Sequence, residues 1–272
     1  MLTDALEGAV REAGGIARRA FGTRVRTWLK EHDSPVSETD IEVDAFLRER
    51  LAALAPDAGW LSEESEDDPA RLDAARVWIV DPIDGTRAFI NGRPDWTVSV
   101  ALVERGRPVA AALYAPVTGE FFLAAAGGGA TCNGAPIAAT AGEAIAGARL
   151  SGPRGILDCL AATAPGFTVL PRIHSLALRL ARVADGTLDA AFAGSGSHDW
   201  DLAAADLLVH EAGGALTTLG GGTPVYNVAA TVHATLVAAG RRRHRALVTG
   251  ALAGLGAEGP ARASGPPPRP QH

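Results

Sequence analysis

The residues with the most chemistry to offer are acids. In "WIVDPIDGTRAFINGRPDW", Trp78 to Trp96, an apolar run delivers Asp81 and Asp84 on either side of Pro82 and Ile83, followed by Gly85 and Thr86. Two carboxylates about 4 Å apart repel by roughly 4 kcal/mol at an effective dielectric near 20, so something must offset them. Pro82 has no N–H and is expected to end ladder pairing, which lets Asp81, the Ile83 carbonyl and Asp84 face one point. Hard oxygen donors with no His or Cys among them suit Mg²⁺. A divalent cation would turn the repulsion into attraction, and the Gly85-Thr86 turn, with its N–H groups and hydroxyl, would hold a phosphate oxygen beside it. The plainer alternative is an Asx turn in which Asp84 caps a helix.

Three more acidic stretches bear on that choice. Glu63-Glu64 in "WLSEES" follow a short strand and can add a third acid, although "EESEDD" also reads as a solvated loop. Asp201 stands at the start of the apolar helix in "HDWDLAAADLLVHEAGG", where a simple N-cap is the alternative. Asp40 in "SPVSETD" reads equally as a cap. Four carboxylate motifs on strand ends and helix starts together suit a phosphatase site with two or three metals.

The elements that must position these acids follow from periodicity and punctuation. Thr3 to about Phe21 predicts an amphipathic helix with Thr3 as N-cap and Gly22 as the stop. Ser37 to Asp40 resembles a capping box opening a second helix that ends before Pro56. Strands are expected near Trp60 and over 77–80. Three further runs, 96–104, 108–114 and 120–126, make an antiparallel meander broken by Gly106 and Thr118-Gly119. From about residue 141 the pattern alternates: strand 148–151, helix 154–162, strand 167–170, helix 174–185, strand 188–193, helix 201–212. The expected organisation is a single catalytic domain over 1–253, with residues 1–140 carrying most of the acids and 141–253 closing the site. The Gly/Pro-rich tail 254–272 is expected to be disordered.

Composition excludes several classes. The chain has 272 residues, 47% hydrophobic and 21% charged, with a formal net charge of −6. Dispersed, mildly acidic charge argues against nucleic-acid and membrane-surface partners. Arg241, Arg242 and Arg243 read as a solvated helix start. Cys132 and Cys159 have no metal-type spacing and read as free thiols of a reducing compartment. The start lacks a signal-peptide pattern and no apolar run is long enough to span a bilayer, so a cytoplasmic location is expected. The sole lysine is Lys30, upstream of every motif. That excludes a P-loop and the haloacid-dehalogenase chemistry, which needs a downstream lysine and acids at i and i+2.

"WIVDPIDGTRAFIN", "WDLAAADLLVHEAGG" and the upstream "SEES" resemble, over roughly residues 5 to 250, the signatures of the inositol monophosphatase superfamily. The resemblance implies a layered α-β-α-β-α sandwich and a Mg²⁺-dependent, lithium-sensitive phosphomonoesterase that uses in-line attack of metal-activated water. It implies that Glu63, Asp81, the Ile83 carbonyl, Asp84 and Asp201 hold two metals, and that Asp40 helps hold a third through water. It makes Glu63 and Thr86 the pair that orients the attacking water, and Gly85 and Thr86 the phosphate cradle. The expected partner is a small phosphorylated metabolite; monomer and homodimer both remain open. A binding module without turnover is disfavoured because every ligand and Thr86 are present.

Within the superfamily, "DSPVSETD", "WLSEES" and the meander look most like the 3′(2′),5′-bisphosphate nucleotidase branch, which converts adenosine 3′,5′-bisphosphate to AMP. Arg87 matches that branch. Ser175 to Arg179 align with its segment that ends in lysine, so Ser175 and Arg179 are expected to contact substrate, Arg179 through the second phosphate. Leu176 and Ala177 depart from the pattern, which usually has serines there. Gly194 stands where inositol phosphatases place a glutamate that binds sugar hydroxyls. Inositol-1-phosphate is the main alternative substrate, and histidinol phosphate a further one.

Overall fold

A computed structural model of the chain describes residues 2–29 and 35–251; Lys30 and the expected disordered tail lie outside the described residues. Two helices form the first layer, α1 (Leu2–Ala20) and α2 (Glu38–Leu54). Thr3 sits inside α1 rather than capping it, because the helix already begins at Leu2; the chain leaves it through Gly22 at φ 78°. In α2, Thr39, Asp40, Val43, Asp44, Leu47 and Leu51 are buried. Their i, i+3/i+4 spacing places two acids on the inward stripe.

The second layer is a seven-stranded sheet in the order β3-β4-β5-β6-β7-β8-β9. Its strands are β3 (Gly59–Ser62), β4 (Arg76–Asp84), β5 (Thr97–Glu104), β6 (Arg107–Ala115), β7 (Glu120–Ala125), β8 (Gly129–Cys132) and β9 (Ala135–Pro136). β3 runs parallel to β4 and the remainder is an antiparallel meander. Trp78 and Val80 pack with α1 and α2, whereas Val77 and Ile79 pack on the other face. A strand covered on both faces reads as an unbroken apolar run, which is why "VWIV" shows no alternation.

Helices α5 (Leu176–Ala184) and α6 (Asp199–Glu211) cover that other face and form the middle layer. Beyond them lies a five-stranded sheet in the order β11-β10-β12-β16-β14. It comprises β10 (Arg149–Ser151), β11 (Thr168–Val169), β12 (Ala190–Ala193), β14 (Gly214–Thr218) and β16 (Leu236–Gly240). Its outer face packs with Leu157 and Leu160 of α4 (Arg154–Thr163) and with Leu247, beyond α7 (Arg241–Ala246). The layers are therefore α-β-α-β-α. Two short pairs complete the fold, β1 (Thr27–Leu29) with β2 (Pro35–Ser37), and β13 (Ser197–His198) with β15 (Val232–His233). At α7, Arg241 and Arg242 are exposed, but Arg243 is buried and donates to Ala144 O and Thr140 Oγ1.

Candidate active site

Pro82 does not end β4. Asp81 pairs with Ser99 and Asp84 with Thr97, so one extra residue bulges from the strand between them. A bulge re-aims side chains without losing the strand, and here it turns both aspartates to one side. Gly85 follows at φ 93°, a left-handed conformation that favours glycine. A side chain there would also press on the backbone of Ser175 and Asp95, at 3.1 and 3.2 Å. The backbone then enters the short helix α3 (Thr86–Ile90).

One carboxylate oxygen each of Asp81, Asp84 and Asp201 lie within 4.8 Å of one another. Asp81 and Asp84 are buried and Asp201 half-buried. Burial pushes the carboxyl of Asp81 well above the usual range, and the charges of Glu63, Asp84 and Asp201 push it further. Asp201 is raised the same way, by burial and then by Asp84. Burial also raises Asp84, although it accepts from Ser175 Oγ at 2.6 Å, Ala177 N at 2.7 Å and Leu176 N at 3.2 Å. Asp81 Oδ1 is buried with no hydrogen-bond partner among the described residues. A converging, under-compensated set of hard oxygens fits a divalent cation such as Mg²⁺.

Asp40 and Asp201 are delivered by the same device. Each occupies the third position of its helix and accepts the backbone N–H of the N-cap residue: Ser37 N to Asp40 Oδ2 at 2.9 Å, and His198 N to Asp201 Oδ2 at 2.6 Å. Asp201 is thus two residues inside α6 rather than its cap. Thr86 Oγ1 lies 3.0 Å from Ile83 O and 3.2 Å from Asp40 Oδ1. Both neighbours accept hydrogen bonds, so the single hydroxyl proton points to one of them and the Thr86 lone pairs are left to accept from water.

A cavity of about 360 Å³ opens over these groups. Glu63, Asp81, Asp84, Gly85, Thr86, Arg87 and Asp201 line it, together with Pro35, Arg172 and His174. Two expected substrate contacts are placed elsewhere. Ser175 is fully buried as the N-cap of α5, behind Asp84. Arg179 is buried, 8% exposed, and its Nε has no hydrogen-bond partner among the described residues. Burial lowers its pKa, against the charges of Asp84 and Asp201, which act to raise it. The reason is that α5 is enclosed on nearly every side, so a residue one turn after Ser175 faces inward.

Sequence reasoning missed four site-shaping residues. Arg172 and His174 line the cavity from the segment entering α5, and Asp95 accepts from both the backbone and ring of His174. Asp44 accepts from the Ser62 and Ser65 hydroxyls that bracket Glu63 and Glu64. An acid four residues after Asp40, on the same helical stripe, was the signal available for Asp44.

Converging hard-oxygen donors beside a turn able to hold a phosphate oxygen are the working parts of a metal-dependent phosphatase. The comparison with known proteins narrows the class: the chain belongs to the inositol monophosphatase family, whose model matches residues 1–253. It is 35% identical to the inositol-1-monophosphatase of Rhizobium meliloti (strain 1021), covering 82% of this chain and 88% of that protein. It is 32% identical to the 3′(2′),5′-bisphosphate nucleotidase CysQ of Aggregatibacter actinomycetemcomitans, over 84% of this chain and 87% of that one. Among solved structures, extragenic suppressor protein suhB from Bartonella henselae superposes with a TM-score of 0.80 at 29% identity, covering 92% of this chain and 97% of that one. The family's enzymes are Mg²⁺-dependent phosphatases of small phosphorylated substrates, and this chain is a phosphoric monoester hydrolase of that family. Among the described residues no helix is long and apolar enough to cross a membrane.

Proposed function

We propose that the protein is a 3′(2′),5′-bisphosphate nucleotidase, removing the 3′-phosphate of adenosine 3′,5′-bisphosphate. Asp81, Asp84 and Asp201, with Glu63 and the Ile83 carbonyl, would hold Mg²⁺. When bound, Mg²⁺ supplies the positive charge that acidifies a water and stabilises the leaving oxygen. The chain does the rest. Gly85 and Thr86 direct their N–H groups to the phosphate, and Thr86 and Glu63 accept from the attacking water to aim its lone pair at phosphorus. Asp40 fixes the Thr86 hydroxyl, and the charge of the buried Arg179 tempers the repulsion between Asp84 and Asp201.

The observation that carries the substrate assignment is the exposed Arg172 in the wall of the same cavity as the acids, with Arg87 also lining it. A second phosphate needs such a cation, and the exposed Arg172 in the cavity wall supports this reading better than the buried Arg179 does. Gly194 offers no side chain for a polyol. A charge-assisted hydrogen bond contributes about 1.5–3 kcal/mol. Arg172→Ala should therefore lower kcat/KM for adenosine 3′,5′-bisphosphate about 10- to 150-fold, with little effect on inositol-1-phosphate. The Rhizobium relative's name favours inositol-1-phosphate as the second reading. A wild type that prefers inositol-1-phosphate would overturn the nucleotidase assignment.

A further inference from the structure

His174 is clamped to Asp95 more firmly than a surface histidine requires. Its Nδ1 lies 2.6 Å from Asp95 Oδ2, its backbone N donates to the same oxygen at 2.7 Å, and Ser175 N donates to Asp95 O at 3.1 Å. Arg93 Nε stands 3.7 Å from the other carboxylate oxygen. Burial would raise the Asp95 carboxyl, but the bonds from His174 prevail and hold it below its ordinary value, so it is ionised at neutral pH. An ionised carboxylate only accepts, so Nδ1 must carry the proton. With Nδ1 held by Asp95, Nε2 is the ring nitrogen left to meet a ligand. That nitrogen has no protein partner among the described residues, and the ring, 26% exposed, lines the active-site cavity.

The clamp sits directly against the phosphate cradle. A Cβ on Gly85 would come within 3.1 Å of Ser175 N and 3.2 Å of Asp95 O. His174 is therefore one residue from backbone that packs on Gly85, and it lines the same cavity as Gly85 and Thr86.

We infer that His174, oriented by Asp95, hydrogen-bonds through Nε2 to the substrate hydroxyl on the carbon next to the phosphorylated one. It is thus a specificity-determining residue for phosphomonoesters of vicinal diols, the class that contains both ribonucleotide 3′-phosphates and polyol phosphates. The inference rests on the phosphomonoesterase reading and holds for either substrate within it.

The test is a comparison of kcat/KM for adenosine 3′,5′-bisphosphate and its 2′-deoxy counterpart, in the wild type, His174→Ala and Asp95→Asn. Loss of one hydrogen bond predicts that the wild type favours the ribonucleotide by about tenfold. The ratio should fall to about one in His174→Ala. Asp95→Asn should reduce it too, because the ring loses the ionised acceptor that holds Nδ1 and orients Nε2. Equal loss on both substrates, with the ratio kept, would make His174 merely structural and overturn the inference, as would a wild type indifferent to the hydroxyl. Should the wild type turn over only inositol-1-phosphate, the nucleotidase reading fails alone. The same comparison then runs with inositol-1-phosphate and the analogue lacking the neighbouring hydroxyl, with the same outcomes.

Discussion

Asp189 and the active-site acids of this molecule have opposite electrostatics. Asp189, just before β12, accepts from Arg149 N and Nε at 2.8 and 2.9 Å and from Thr140 Oγ1 at 2.8 Å, with Arg243 Nη1 at 3.4 Å. Burial alone would raise its pKa, but these partners bring it down to about 2. Asp81, Asp84 and Asp201 are raised instead, despite Arg179 nearby. A carboxylate that meets its arginines within the fold fastens chain segments together. Carboxylates gathered with too little positive charge are poised for a cation from outside. The contrast separates structural acids from working ones without reference to any relative.

The largest expected effect breaks the working cluster. Asp84→Asn keeps shape but removes a charge from the converging oxygens, and should lower kcat by about 10³-fold or more, by the scale of losing a key transition-state charge interaction. The protein should still fold, because the amide oxygen of the introduced asparagine can accept the short bonds from Ser175 and Ala177. Full activity in this variant would sink the metal-site assignment. Ser175→Ala acts one step back: it removes the 2.6 Å bond that fixes Asp84. Loss of a hydrogen bond orienting a metal ligand typically costs about 10- to 100-fold. A kcat/KM within twofold of wild type would show that Asp84 is held well enough by the backbone of α5.

How much of this was legible beforehand depends on sequence separation. The bulged "DPIDGT" and the two helix-start acids could be read because the residues that shape them lie within a few positions of one another. Proline's missing N–H was visible, but whether β4 ends or bulges at Pro82 depends on β5, where Val98 alone lies across from Pro82 and Ile83. Arg179 was expected in the cavity because Ser175 to Arg179 resemble the nucleotidase segment that ends in lysine; the enclosure of α5 on nearly every side is not visible in such a resemblance. Asp95 and His174 meet across 79 positions, and nothing local marks either. β14 and β16 went unread because "GALTT" and "LVAAG" mix short apolar runs with glycine and alanine, which have weak strand preference. Their pairing is supplied by the neighbouring strand.

Mg²⁺ itself sharpens the comparison. A ligand that binds only the native state at a hundred times its Kd adds about 2.7 kcal/mol. For a chain of this size that corresponds to about 5–10 °C in Tm. Thermal melts after chelation and after Mg²⁺ addition should show this rise in the wild type and in Asp189→Asn, and little of it in Asp84→Asn. Equal rises in all three would place Mg²⁺ binding away from the acid cluster.

The smallest expected effect belongs to the structural acid and appears in its pH dependence. Asp189 has a folded pKa of about 2, below the value of about 3.9 for an unfolded aspartate. The unfolded chain therefore takes up a proton first as pH falls. The stabilisation is fully present above about pH 5 and is lost as pH drops towards 2. Arg149 is 42% exposed, so solvent screening reduces the contribution to about 1–2 kcal/mol. Asparagine in place of Asp189 has no charge in either state and contributes no such pH term. Urea unfolding of wild type and Asp189→Asn should then differ by about 1–2 kcal/mol at pH 7, by slightly less at pH 4, and by about 1 kcal/mol less at pH 3 than at pH 7. A gap that stays constant over this range would mean that Asp189 acts through its shape and hydrogen bonds, with no dependence on charge. The distinction between fastened and poised acids would then rest on the active-site cluster alone.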